Sequence, residues 1–294
     1  MVFFDKPQIE FPKTQLMNVI RIEPPKKLRK VVRHFWCSSF PNPNAFAKQY
    51  KILADGSPGI VFQHSTGNSS VLNSDGEPLP IAFLYGQKTT ACTNLIRGTP
   101  TIIGVSFYPV AFRSLFNIDA SDLTNDILDI EYFFPPGFVD LLLNTTDTEQ
   151  AIELFCDTLY QQSSRQEQDA VIKESVHRII GNTANANARD VSSYSNTSRR
   201  QFQRRFKECI GVAPGTYIRI IKFQKAVQLL RNGHFEKLSD IAYVLNYSDQ
   251  SHFIREFKNF SGHTPKIFLR KSPDYNPTHM GNESSFSPLR LLEC

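Results

Sequence analysis

The chain has 294 residues, of which 40% are hydrophobic and 21% charged. That suits two soluble globular domains and excludes wholesale disorder, collagen-like repeats and a small disulfide scaffold. The net charge is +5, but residues 185–271 hold 16 Lys and Arg against 6 Asp and Glu, while the remainder holds 17 against 22. A basic end on a mildly acidic body points either to a polyanion-binding module or to a basic surface that is merely solvated. No run approaches 18 apolar residues, so no membrane partner is expected. The opening MVFFDKPQIEFPKTQ lacks the apolar core of a secretory signal. Five scattered cysteines, with no C-x-x-C spacing, read as reduced thiols of a cytoplasmic protein with no metal site and no cofactor.

Residues 1 to about 135 carry β character. Lys51–Gln63, Ile81–Gly86 and Thr101–Tyr108 are rich in β-branched and aromatic residues and are bounded by turns at Asp55-Gly56, Pro58-Gly59 and Asp75-Gly76. Pro109–Phe116 reads as a short helix, and Pro135-Pro136 mark a change of regime. From about Phe138 the spacing is helical. Thr148–Tyr160 gathers Ile152, Phe155, Cys156 and Leu159 on one face, and Val171–Ile180 does the same with its valines and isoleucines. The polar stretch after Gly181 places a domain boundary near residue 183.

Beyond it lies an internal repeat. FQRRFKECIGVAP (202–214) and FIREFKNFSGHTP (253–265) share six identities at a constant offset of 51. In each copy two phenylalanines at i, i+4 share one helical face: Phe202 with Phe206, and Phe253 with Phe257. Ser198 and Asp249 are suited as N-caps, Gly211 and Gly262 as stops. The opposite faces carry Arg199, Arg200, Gln203, Arg204 and Arg205 in one copy, and Gln250, Ser251 and Arg255 in the other. A short helix precedes each (190–194 and 240–245), which makes two helix-turn-helix units. Thr216–Arg231, a helix of about 24 Å, joins them and could set two recognition helices on one DNA face.

Segment 189–270 resembles the C-terminal DNA-binding domain of AraC/XylS-type transcriptional regulators. Ser198, Phe202, Arg204, Phe206, Lys207, Gly211, Pro214 and Tyr217 carry the resemblance in the first unit, and DIAYVLNYSDQSHFIREFKNFSGHTP carries it in the second. It implies a seven-helix domain whose two recognition helices enter adjacent major grooves. The base-reading positions become Arg200, Gln203, Arg204, Gln250, Ser251 and Arg255. Arg199 is a phosphate contact, and His252 either touches DNA or caps its helix. Ser192 and Ser195 replace the family's usual Ala and Leu, which predicts a looser first unit. Asn246 replaces a turn glycine and tolerates the left-handed conformation.

The same resemblance implies an N-terminal domain that binds a small effector, dimerises, or both. Its fold in the family is commonly a cupin-like barrel, and KILADGSPGIVF, IIGVSFYPVAFRSLF and Leu123–Ile130 faintly resemble the N-terminal part of one AraC-type group. The expected fold is therefore α+β. A β-rich N-terminal domain with a helical connector (138–181) occupies 1–183, an all-α domain 184–271 and a poorly ordered tail 272–294. Expected partners are double-stranded operator DNA, a small-molecule effector, a second copy of the chain and RNA polymerase.

Candidate chemistry in the N-terminal half is sparse. His34 and His64 are too few for a metal-binding barrel. Arg113 is either an anion partner or a solvated helix residue. Phe83, Tyr85, Phe107 and Tyr108 either line a pocket or fill a core. No GxSxG, HExxH, P-loop or GxGxxG motif supports an enzyme. A fused alkyl-transfer repair protein would need four clustered cysteines, and Cys37 and Cys92 are 55 residues apart.

Overall fold

The computed structural model describes residues 18–39, 48–163, 168–193, 195, 197–233 and 235–270. The expected tail lies outside them. The N-terminal region forms two antiparallel sheets. Its strands are β1 (Asn18–Ile22), β2 (Val32–Ser39), β3 (Lys48–Ile52), β4 (Gly59–His64), β5 (Val71–Leu72), β6 (Ala82–Tyr85), β7 (Cys92–Ile96), β8 (Thr101–Phe107) and β9 (Ile127–Asp129). The larger sheet has the order β1-β2-β8-β4-β6-β9 and the smaller β3-β7-β5. Of the barrel or sandwich that short strands with turn punctuation suggest, the described residues form two sheets facing each other. The run 51–63 splits into β3 and β4 because Gly56 turns the chain at φ +80°.

Alternation along the strands gives the larger sheet two buried faces. Phe35, Ile60, Phe62, Leu84, Ile103, Val105 and Phe107 pack beneath three helices: α1 (Ala111–Phe116), α2 (Phe138–Leu143) and α3 (Thr148–Ser163). The alternate residues Trp36 and Ile102 face Tyr50, Val71 and Ile96 of the smaller sheet.

Seven further helices follow: α4 (Ala170–Gly181), α5 (Ala188–Ser193), α6 (Arg199–Ile210), α7 (Pro214–Asn232), α8 (Leu238–Val244), α9 (Gln250–Ser261) and α10 (Pro265–Arg270). One core runs through them. Ile172, Val176 and Ile179 of α4, read from the sequence as connector, share it with Phe202, Phe206, Tyr217, Phe223, Phe253 and Phe257. Leu53, Ala54 and Val110 of the N-terminal region enter the same core, so the β3–β4 turn is wedged against α7. Gln224 Nε2 donates to the Ala54 carbonyl there. A side chain on Gly56 would meet Ile221 Cδ1 at 3.0 Å.

Candidate nucleic-acid interface

Both recognition helices are fixed at their ends by the residues the repeat singles out. Ser198 Oγ accepts from Gln201 N, and Gln201 Oε1 accepts from Ser198 N, a reciprocal cap at the start of α6. Asp249 accepts from His252 N at 2.7 Å to start α9. Asp240 accepts from Lys237 N at 2.8 Å to start α8. These amide donors favour the ionised form and hold both carboxyls below their ordinary range. Gly211 and Gly262 close α6 and α9 at φ +95° and +74°. Asn246 takes φ +52° between α8 and α9.

The long helix α7 couples the two units. Phe206 of α6 meets Tyr217 with ring centroids 5.9 Å apart. Farther along, Phe223 meets Phe257 at 5.1 Å and Phe260 at 5.3 Å. Both recognition helices are thereby pressed on one rigid rod, with their phenylalanines inward and their polar faces outward.

On α6, Arg199, Arg200 and Arg204 are exposed and Gln203 is half-buried. On α9, Gln250, Ser251 and Arg255 are exposed. His252 turns back: its Nδ1 lies 3.0 Å from Ser248 Oγ, and its ring stands edge-on to Tyr247. That geometry favours the local role over a base contact. Arg205, expected on the outer face of α6, instead pairs with Asp169. The same carboxylate caps α4 through Val171 N and Ile172 N, so Arg205 ties two helices together. Ser192 is buried and its hydroxyl donates to the Arg189 carbonyl at 2.7 Å, while Ser195 donates to the Ser192 carbonyl. The hydroxyls are satisfied inside the unit, so the serines do not leave it with unpaired polar groups.

The N-terminal region grips the first unit at the C-terminal end of α6. Arg113 Nη1 pairs with Glu208 at 3.1 Å, and Glu208 also faces Arg204 at 3.6 Å. Thr124 Oγ1 donates to the Gly211 carbonyl at 2.5 Å. Gly211 lies so close to Ala120 and Gln87 that a Cβ would meet them at 3.0 and 3.2 Å. Arg113 is thus neither free for an anion nor merely solvated. Sequence reasoning missed Asp169, Thr124 and Glu208, because ion pairs and caps between distant segments leave no periodic signal.

Beside this contact, a cleft between the two regions is lined by Arg29, Lys30, Arg33, Lys173, Lys225 and Arg231, with Asp55 as its acidic residue. Tyr108 also lines it. Of the other three aromatic candidates, Phe107 fills the core beneath α1, whereas Phe83 and Tyr85 line a cavity between the sheets. No group of three or more His, Cys, Asp or Glu residues among the described ones could hold a metal ion. No helix among the described residues is long and apolar enough to cross a membrane.

Residues 191–271 match a family described as a helix-turn-helix domain. Within the chain, 75 residues are 42% identical to the F1 operon positive regulatory protein of Yersinia pestis. The C-terminal helices form an AraC-type helix-turn-helix domain. That first match covers 26% of this chain and 25% of the relative, so the chain spans a quarter of the length of that protein. The HTH-type transcriptional activator AarP of Providencia stuartii is 27% identical over 118 residues, which is 40% of this chain and 87% of AarP. Residues 20–129 match a domain of unknown function (DUF6597). ToxT from Vibrio cholerae overlays 87% of this chain and 98% of its own at a TM-score of 0.43 and 14% identity, a likeness of outline alone. The AraC-type domain accounts for the basic C-terminal end, and the nine described strands span the region matched to DUF6597.

Proposed function

We propose that the chain is a sequence-specific DNA-binding transcription regulator whose N-terminal region controls its AraC-type domain. The observation that carries this reading is the pair of capped helices α6 and α9, held on one rod with arginine and glutamine outward. Arg reads guanine edges and Gln reads adenine edges in bidentate fashion. Arg200, Gln203 and Arg204, with Gln250, Ser251 and Arg255, are the proposed base readers, and Arg199 a phosphate contact. We place the start of the DNA-binding domain at α4, because its apolar face completes that domain's core. The control arm is the contact through Thr124, Arg113 and Glu208, which reaches the end of α6 and, through Glu208, the side chain of Arg204. No enzymatic role is assigned to the chain, and its workplace is the cytoplasm. A second copy and RNA polymerase are the partners that the resemblance implies.

The test is binding of the full chain to duplex DNA across a range of salt. Exposed cations on α6 and α9 (Arg199, Arg200, Arg204, Lys207, Arg255 and Lys258) would neutralise several phosphates, giving a log–log slope of about −5. Hydroxyl-radical protection should fall on one face of the duplex in two tracts about 10 base pairs apart. A flat salt response, or a single tract, would contradict the reading.

A further inference from the structure

We propose that the cavity between the two sheets of the N-terminal region binds an uncharged, largely apolar small molecule carrying a hydrogen-bond acceptor. The proposal deepens the reading of that region as the controlling half, and rests on it.

The cavity holds about 330 Å³, within the size range of small-molecule sites. Its floor is aromatic by construction. Trp36 lies directly across the ladder from Gly104, and Tyr85 from Gly59. A Cβ on Gly104 would come within 1.9 Å of the indole, and one on Gly59 within 2.3 Å of the Tyr85 hydroxyl. Only glycine lets both rings lie against the sheet and leave the space above them open.

Two donors line this space. Trp36 is 3% exposed and Ser38 9%; they sit two apart on β2 and so share its inner face. Among the described residues, neither Trp36 Nε1 nor Ser38 Oγ has a hydrogen-bond partner. Nearby Gln63 shows how the same domain treats a buried polar group it means to close: its amide oxygen accepts from Ser70 N and Val71 N, and its nitrogen donates to Ser69 Oγ and the Pro80 carbonyl. An unpaired buried donor is disfavoured and calls for an acceptor. An indole N–H can only donate, so the missing partner must accept.

Charge decides the rest. The charged residues lining the cavity are Lys88 and Asp126. Both are engaged at its rim: Lys88 Nζ donates to the Asn125 carbonyl, and the Asp126 carboxylate accepts from Ile127 N. The rest of the lining is uncharged, so an ion held deep between the sheets would lose its hydration without a counter-charge beside it. An anion would be drawn instead to the arginines and lysines of the interdomain cleft. The rim also adjoins the control arm, because Asn125 follows Thr124, whose hydroxyl holds Gly211 at the end of α6.

Trp36 is the single tryptophan of the chain, so its emission reports the cavity directly. The full chain is titrated with N,N-dimethylbenzamide (neutral, with an acceptor), ethylbenzene (no acceptor) and benzoate (charged). A saturable change in Trp36 emission is expected with dimethylbenzamide, with binding about tenfold weaker for each of the other two. Val61→Phe, which fills the cavity, should abolish the response. Ser38→Ala should weaken dimethylbenzamide alone about threefold, with melting temperature unchanged or raised because an unpaired hydroxyl is removed. The proposal is overturned if no probe gives a saturable change, if benzoate binds as well as dimethylbenzamide, or if both variants respond like the parent. Duplex binding by the same samples separates the two readings. Probe failure with DNA binding intact sinks the cavity alone. Probe binding that leaves DNA affinity unchanged keeps the cavity as a ligand site and removes the controlling role.

Discussion

Phe223→Ala is expected to destabilise the chain by about 3–5 kcal/mol, the range for truncating a fully buried phenylalanine. Phe223 is 1% exposed and packs on Phe257 and Phe260 of the second recognition helix. Its loss leaves a cavity where α7 holds α9, and the total stability of a domain is only about 5–15 kcal/mol. Urea unfolding followed by circular dichroism measures it. Tyr243, 87% exposed on α8, is the control, and Tyr243→Ala should move stability by no more than about 0.5 kcal/mol. If Phe223→Ala cost no more than that control, α7 would not be the rod that positions both helices.

The second large effect concerns how the two units share DNA recognition. Arg255 is exposed on a helix capped by Asp249 and backed by Ile241, Ala242 and Leu245, all buried. Arg255→Ala is predicted to remove about 1–3 kcal/mol of discrimination at one or two operator positions, with little change in salt slope. Arg199, exposed in the first turn of α6, is predicted to act on phosphate. Arg199→Ala should weaken all sequences alike and reduce the slope by about one. The structure narrows the basic face of the first unit, since Arg205 is committed to Asp169 and Arg204 is drawn toward Glu208. Binding of each variant to single-base operator mutants at two salt concentrations separates the effects. An equal loss on every sequence for Arg255→Ala would refute this division of labour.

The repeat made the helical half legible because each of its devices is local. A cap, a stop glycine and an i, i+4 phenylalanine pair lie within one turn or helix of each other, and Ser198, Asp249, Gly211, Gly262 and Asn246 all adopt the geometry their chemistry favours. The β half was legible only in the apolar runs of β4, β6 and β8; of the mixed strand β3, KQYKI, the run from Lys51 took in just Lys51 and Ile52. The strands β1, β2, β5, β7 and β9 mix polar and apolar residues or span two or three positions, so their pairing partners rather than their own composition make them strands. The placement of α4 shows another limit: an amphipathic helix declares that it needs a partner, not which domain supplies it. The cavity was hidden for the same reason. Trp36 and Gly104 are 68 positions apart, and only the register of β2 on β8 brings them face to face.

The most direct test of the central claim is selection of bound duplexes from a random pool by the full-length chain, run beside the Arg204→Ala, Arg255→Ala double variant. The account predicts enrichment of one bipartite sequence, with two conserved elements about one helical turn apart, and its loss or relaxation in the variant. Recovery of unenriched DNA by the parent chain, or the same enriched sequence from both proteins, would contradict it.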